Sequence, residues 1–202
     1  MGKAKRRSYT RPMNARRLLY LAVFLTAAWL VWPLFGGAPR LPASSGELAS
    51  GTLRLGEHRI TALQPFALEA RVLGREDYRL DRGARLSPTD LALGWGPMAD
   101  PQVLRQIQVR QGNRWYHWRT EQFPIARREI ERHSANMHMI PANPEVARLL
   151  GQVSRGRLIR LSGHLVRVDG DDGFRWVSSL SRDDTGEGAC ELVWLEQLQL
   201  LD

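Results

Sequence analysis

An uncharged run of eighteen residues, Leu18 to Phe35, constrains this chain more than any other feature. A helix that crosses the hydrocarbon core of a bilayer needs about 20 apolar residues, and about 17 are tolerated. Lys and Arg crowd the residues before the run, with no acid among them, and such a cluster stays on the cytoplasmic side. The sequence therefore predicts a cytoplasmic basic segment over 1–17 and a transmembrane anchor over 18–37.

A cleaved secretory signal is the alternative, because such signals carry an apolar stretch of about 7 to 15 residues before a cleavage site. The run here is longer, and Pro39 makes the residues after it a poor cleavage sequence, which favours a retained signal-anchor. Residues 38–50 are rich in Pro, Ser and Ala, as in a linker. We therefore expect a bacterial single-pass protein of the cytoplasmic membrane, with the N-terminus inside and a periplasmic domain over 51–202.

The charge of the chain follows from the predicted topology. The formal net charge is +8, and the basic residues of segment 1–17 account for all but about one unit of it. The near-neutral remainder argues against nucleic acid as a partner, since nucleic-acid binding rests on Lys and Arg that neutralise phosphates. A single cysteine, Cys190, excludes an intramolecular disulfide.

Alternating apolar and polar residues predict strands along this domain. Phe66, Leu68, Ala70 and Val72 share one face, and Gly74 is the expected end of their strand. Gly163 supplies the kind of bend that a barrel strand needs. The predicted strands cover 51–55, 58–63, 66–73, 108–111, 114–119, 157–161, 164–168, 174–180 and 190–200.

Proline beside a capping residue predicts short helices in the middle of the domain. Helices are expected to begin at Ser87-Pro88, Asp100-Pro101 and Asn143-Pro144, and another runs from Pro124 to about Met137. The predicted fold is therefore α+β: an N-terminal transmembrane helix, a linker, then a mixed domain with short helices. A C-terminal antiparallel sheet would close as an OB-like or SH3-like small barrel.

The densest group of polar side chains is the segment HSANMHM, which begins at His133. Histidines four residues apart on a helix can share a zinc ion, but His133 and His138 are five apart, or about 140° around a helix. If the helix ends near Asn136, a polar ligand pocket containing these residues and Ser134 becomes possible. The alternative is structural, with His133 in the core and Asn136 as a helix cap.

The loop before Cys190 is a second candidate for ligand contact. Asp184, Thr185 and Glu187 could supply oxygens, but their spacing is not that of a calcium loop, and an ordinary solvated loop is the alternative. Cys190 with either histidine and Asn136 would have the residue types of a cysteine peptidase. However, an activated thiol usually sits at a helix N-terminus or beside a cation, whereas Cys190 begins an apolar strand. The sequence predicts no metal site and no cofactor.

Aromatic side chains are the third feature, and they suit either a core or a surface that stacks on a ligand. Trp95 is included among the candidate ligand contacts. The others are Trp115, Tyr116, Trp118, Trp176 and Trp194.

Three segments, HSANMHMIP from His133, LALGWGPMAD from Leu91 and WVSSLSRDDTGEGACELVW from Trp176, carry a resemblance to other proteins. The chain resembles a set of bacterial single-span membrane proteins known mainly as hypothetical proteins. This resemblance covers most of the domain and implies no established activity or cofactor.

The first functional hypothesis is a non-enzymatic, membrane-anchored binding or scaffold module that contacts a protein or envelope partner. A second is a hydrolase or metal-dependent enzyme that uses the His133–His138 segment and the loop before Cys190. A third is an OB-like binder of oligosaccharide or oligonucleotide. The sequence leaves the oligomeric state open.

Overall fold

Strands dominate the computed structural model, which describes Leu48, residues 51–181 and residues 190–201. They make up 51% of the structure, against 15% helix. The strands in these ranges are β1 (Thr52–Leu55), β2 (His58–Asp77), β3 (Thr89–Gly94), β4 (Gln108–Gly112), β5 (Trp115–Arg119), β6 (Ser134–Pro141), β7 (Leu158–Gly170), β8 (Arg175–Val177) and β9 (Glu191–Leu200). The α-helices are α1 (Pro101–Leu104), α2 (Arg127–Arg132) and α3 (Pro144–Leu150).

The long strand β2 closes the main sheet because it pairs on both of its edges. It pairs with β7 from His58 to Arg71 and with β3 from Arg71 to Asp77. The sheet then runs from β3 to β6, β9 and β7, with antiparallel pairing throughout except for the parallel pair β6–β9. Five strands thus form a closed barrel, with α3 between the third and the fourth of them. This is the strand order of OB-type barrels.

Apolar side chains fill the interior of the barrel. Leu91 and Leu93 of β3, Met137 and Met139 of β6 and Val193 of β9 are all fully buried there. Two further apolar clusters lie outside the barrel wall. One packs beneath β1 and β8, and the other packs between β3 and the separate two-stranded sheet of β4 and β5.

Two local predictions are confirmed. β1 and β2 form the expected hairpin, which turns at Gly56 and Glu57. The side chains of Asp100 and Asn143 cap α1 and α3, because each accepts a hydrogen bond from a backbone N–H of the first turn.

The predicted α+β fold class is wrong. The structure is mostly sheet with three short helices, and its barrel is not confined to the C-terminal part, since β2 and β3 supply two of its five strands. The sheet is also not wholly antiparallel, because β6 and β9 run parallel.

Helix prediction failed where a start signal was followed by residues that are buried on both faces. Ser87-Pro88 leads into strand β3, every residue of which is buried. The helix expected from Pro124 to Met137 is only α2, and strand β6 follows it directly. The LALG run of β3 has no polar face, so it lacks the alternation by which a strand is recognised. Strand β6 does alternate polar and apolar residues, but the helix predicted from Pro124 was extended into it.

Two predicted strand breaks are bulges inside longer strands. β2 continues through Gly74 with a shift of register, and β7 continues through Gly163 with another. A Cβ at Gly163 would lie 1.9 Å from the carbonyl oxygen of Trp194 on β9. Glycine at this position therefore permits a close approach of two backbones, at the irregularity that the sequence predicted as a bend in a barrel strand.

The predicted transmembrane helix over 18–37 lies outside the described residues, as does the basic segment 1–17. None of the helices that the structure describes is long and apolar enough to cross a membrane. This finding corrects the prediction of a signal-anchored, single-pass protein of the cytoplasmic membrane with a periplasmic domain, which the structure does not support.

Candidate ligand-binding groove

Most of the polar segment singled out from the sequence lies in strand β6 rather than in a helix. Alternate side chains of a strand share a face, so Ser134, Asn136 and His138 project from the outer wall of the barrel. All three are nevertheless buried, because other parts of the chain cover this wall. The helical spacing argument therefore does not apply to these residues.

His133 is not part of this group. It is the last residue before β6, and its Nδ1 lies 3.0 Å from the carbonyl oxygen of Glu129 in α2. Its ring meets the edge of Trp95, which packs in turn against the barrel core. Of the predicted ligand contacts, His133 and Trp95 thus form a separate structural contact.

A buried ionic network covers the outer wall at Asn136 and His138. We call Asp81, Asp90, Arg114, Asn136 and His138 the Arg114 network. Asp90 is fully buried, and its carboxylate accepts hydrogen bonds from Arg114 Nη1 at 2.7 Å and from Asn136 Nδ2 at 3.2 Å. Nδ1 of His138 lies 2.9 Å from the same carboxylate without the alignment of a hydrogen bond.

Arg114 reaches Asp90 because it occupies a tight turn between β4 and β5. Asn113 and Arg114 both have positive φ, at 53° and 67°, as a two-residue turn of this hairpin type requires. The Nη2 atom of Arg114 contacts both carboxylate oxygens of Asp81, at 2.9 and 3.0 Å. Arg114 therefore binds two carboxylates and fixes the hairpin against the barrel.

Tyr78 contacts Arg114 through both its hydroxyl group and its ring. Its hydroxyl oxygen accepts a hydrogen bond from the Arg114 backbone N–H at 2.8 Å, and the guanidinium carbon lies 3.8 Å from the centre of its ring. Burial raises the pKa of the Tyr78 hydroxyl, an effect that the hydrogen bond from Arg114 only partly offsets. The Tyr78 side chain therefore stays neutral in the folded protein at neutral pH.

Asn136 has a partner for each of its polar atoms. Its Nδ2 also donates to the carbonyl oxygen of Arg114 at 3.0 Å, and its Oδ1 accepts from Gln111 Nε2 at 2.6 Å. The ring of His138 lies against Trp176, with 4.6 Å between the ring centres. The predicted residues Asn136 and His138 are thus buried: Asn136 joins the barrel wall to the hairpin, and His138 packs against β8.

The central charges of this network, Asp90 and Arg114, were missed as functional residues. Asp90 was interpreted as part of a helix start, and it lies 24 residues from Arg114 and 46 from Asn136 along the chain. No short motif joins them. The only local signal in the sequence was an acid, Asp90, directly before the apolar run LALG.

A groove opens beside the Arg114 network, between β5, α2 and the first residues of β6. We call it the aromatic groove. Its volume is about 530 Å³, within the range of protein sites that bind small molecules or single side chains. The lining residues are Trp115, Tyr116, His117, Trp118, Arg119, Thr120, Phe123, Arg127, Glu131, Ser134, Ala135, Asn136 and Cys190.

Aromatic rings and arginines dominate the exposed part of the aromatic groove. Phe123 is 56% exposed and meets Trp118 edge to face, with 6.1 Å between the ring centres. The guanidinium of Arg127 lies 5.8 Å from the centre of the Trp118 ring and donates to Glu131 at 2.8 Å. Arg119 is a further exposed cation of the groove. The formal charge of these lining side chains is therefore positive by one.

The floor of the groove contains three of the predicted contacts, Ser134, Asn136 and Cys190. The Ser134 hydroxyl donates to the carbonyl oxygen of Ile130, and Tyr116 donates to the Ser134 carbonyl oxygen. Sγ of Cys190 lies 4.0 Å from the carbonyl oxygen of Arg114. The predicted contacts Asp184, Thr185 and Glu187 lie outside the described residues.

Asp77, at the end of β2, lies outside the groove but is electrostatically unusual. Burial acts to raise the pKa of this carboxyl group. Hydrogen bonds from Arg75 and Thr89, together with the charge of Arg75, outweigh burial and hold the pKa below its ordinary value. Asp77 therefore remains ionised and joins β2 to β3.

No protein-family model and no curated protein matches this chain. The resemblance to single-span membrane proteins therefore stays an untested prediction. Within residues 51–181 and 190–201, no three His, Cys, Asp or Glu side chains are grouped so that they could hold a metal ion. The geometry of the aromatic groove is thus the basis for a functional assignment.

Proposed function

We propose that this protein is a non-enzymatic binding module, and that its ligand is a segment of a partner protein seated in the aromatic groove. The observation that carries the proposal is the lining of the groove. Trp, Tyr and Arg are the residue types that dominate the binding energy of protein interfaces. Here Trp115, Tyr116, Trp118, Arg119 and Arg127 line one concave surface.

The shape of the groove supports a segment with one or two apolar anchor side chains. An open cleft of about 530 Å³ accepts a few side chains rather than a flat protein face. Phe123 exposes more than half of its surface at one end, so an apolar side chain that covers it would be favoured by burial.

Charge adds a preference for the residues that flank the anchor. Arg119 and Arg127 lie on the groove against a single acid, Glu131, which favours an acidic partner segment.

The second hypothesis, hydrolysis, receives less support from the geometry. His133 packs against Trp95, whereas His138 is buried beneath Trp176. A nucleophile and its base must lie within hydrogen-bond reach of each other and of a substrate. The burial of His138 and the separate location of His133 do not favour this arrangement.

Panning a library of random displayed peptides against the full chain tests the proposal. We expect selected peptides to share an aromatic or aliphatic anchor next to Asp or Glu. Phe123→Ala should weaken these peptides about tenfold, as expected for loss of an apolar contact at a binding hot spot. Leu80→Ala is the control, since Leu80 is fully exposed and lies outside the groove.

Two results would contradict the proposal. Peptides whose affinity is unaffected by Phe123→Ala and by Arg119→Gln would place the binding surface elsewhere. Oligosaccharides that quench tryptophan fluorescence and lose affinity in Phe123→Ala, with no peptide selected, would assign the groove to the third hypothesis instead.

A further inference from the structure

A second cavity lies between β2, α1 and the loop that follows α3, and it does not share a described lining residue with the aromatic groove. We call it the arginine pocket. Its volume is about 280 Å³. The lining consists of Arg71, Val72, Leu73, Pro101, Leu104, Arg105, Ile107, Val109, Arg155 and Gly156.

The walls of the arginine pocket are apolar. Leu73, Ile107 and Val109 are buried members of the cluster between β3 and the β4–β5 sheet, and Leu104 packs against this cluster. The pocket therefore lies against the edge of this apolar cluster. Filling such a space with an alkyl chain is favourable because its methylene groups are removed from water.

The charged groups of the pocket are all cations. Its lining includes Arg71, Arg105 and Arg155 and contains no acid. Arg71 is held in place, because its Nε donates to the carbonyl oxygen of Ala99 and its Nη1 donates to that of Gly156. Arg105 and Arg155 are exposed. Arginine binds carboxylates with two parallel hydrogen bonds, so this set complements an anionic head group.

We propose that the arginine pocket binds a single-chain anionic amphiphile, with its carboxylate between the arginines and its alkyl chain against Leu73, Leu104 and Ile107. Charge complementarity identifies the head group, and the apolar walls identify the chain. The volume limits the ligand to one short chain. This site is independent of the aromatic groove and of its peptide ligand.

Octanoate is a suitable probe, and calorimetric titration of the full chain measures its binding. Octylammonium has the same chain with the opposite charge, and it should not bind. The double variant Arg105→Gln, Arg155→Gln should bind octanoate at least about tenfold more weakly, the effect expected for loss of a charged hydrogen bond. Arg148→Gln is the matched control, because Arg148 is exposed on α3 and lies outside the pocket.

Amide chemical shifts locate the bound probe. Octanoate should perturb the signals of Leu73, Ile107 and Gly156 and leave those of the aromatic groove unchanged. Absence of octanoate binding, equal binding of octylammonium, equal weakening by Arg148→Gln, or perturbation confined to other residues would each overturn the proposal. Peptide binding is tested with Phe123→Ala and octanoate binding with the arginine variants. Failure of one proposal is therefore distinguishable from failure of the other.

Discussion

Replacing either Asp90 or Arg114 alone should destabilise the fold strongly, and replacing both should cost less than the sum of the two single changes. The side chain of Asp90 has no exposed surface, and that of Arg114 is 17% exposed, with 2.7 Å between the charged atoms. Removal of one member of a buried pair leaves an uncompensated charge and costs about 3 to 5 kcal/mol. We therefore expect Asp90→Asn to destabilise the fold.

The contacts that remain in each single variant indicate where its cost lies within about 3 to 5 kcal/mol. Asp90→Asn should cost about 3 kcal/mol, the lower limit, because Arg114 keeps both contacts with Asp81 and donates to the Ser87 carbonyl oxygen at 2.9 Å. Arg114→Met should cost about 4 kcal/mol, since the fully buried Asp90 then loses its hydrogen bond from the guanidinium and keeps the one from the Asn136 amide. The double variant leaves no unpaired charge at this pair, so it should cost much less than the sum.

Urea unfolding of the four proteins measures the coupling between these residues. For a slope of about 2 kcal/mol per molar urea, a loss of about 3 kcal/mol lowers the unfolding midpoint by about 1.5 M. The coupling energy from the cycle should be about 3 kcal/mol. A pair at a similar distance but on the surface is the control: Arg160 and Glu69 are 2.8 Å apart with side chains 58% and 48% exposed, and their coupling should not exceed about 1 kcal/mol.

Additive effects at Asp90 and Arg114 would refute the reasoning, because they would mean that the two charges do not depend on each other in the folded state. Equal coupling in the buried and the exposed pair would refute the role of burial. A double variant that unfolds at a clearly lower urea concentration than either single variant would show that hairpin position, rather than charge compensation, controls stability.

Three further results are expected. Gly163→Ala should destabilise the fold by about 3 kcal/mol in urea unfolding, because the new Cβ would meet the Trp194 carbonyl oxygen on the neighbouring strand, whereas Gly112→Ala should be nearly neutral, since nothing lies within 4 Å of its added Cβ. The lowered pKa of Asp77 means that its contribution to stability is complete above the unfolded value of 3.8 and is lost as pH falls through the lower folded value, so Asp77→Asn should flatten the acid limb of the stability curve. The raised pKa of Tyr78 means that its contribution is present below the unfolded value of 10.0 and is lost as pH rises through the folded value; ultraviolet titration should therefore show a late-ionising component that is lost in Tyr78→Phe.

Local signals in the sequence predicted the local features of the fold. The turn at Gly56-Glu57 and the caps of α1 and α3 depend on residues adjacent in the chain, and each is present. The β4–β5 hairpin is also present, although its turn is Asn113-Arg114 rather than Gly112-Asn113. Because the predicted turn was displaced by one residue, Arg114 was assigned to a strand. Its conformation and contacts depend on its place in the turn.

The candidate site needed long-range contacts that the sequence does not encode locally. His138 and Asn136 were singled out with helical geometry, whereas the strand that carries them gives them Asp90 as a neighbour. The aromatic residues Trp115 and Trp118 were recognised as either core or surface. Only the position of α2 beside β5 makes them line a groove.

The sequence by itself determined the short-range features: where turns form, which residues cap helices and which strands alternate between buried and exposed faces. Tertiary structure alone decided that the buried run LALG is a strand, because a strand paired on both edges and covered on both faces carries no periodic signal. Tertiary structure likewise decided the site. Pairing of β3 with β6 builds the wall to which the Arg114 network fixes the hairpin, and the groove lies between that hairpin and the wall.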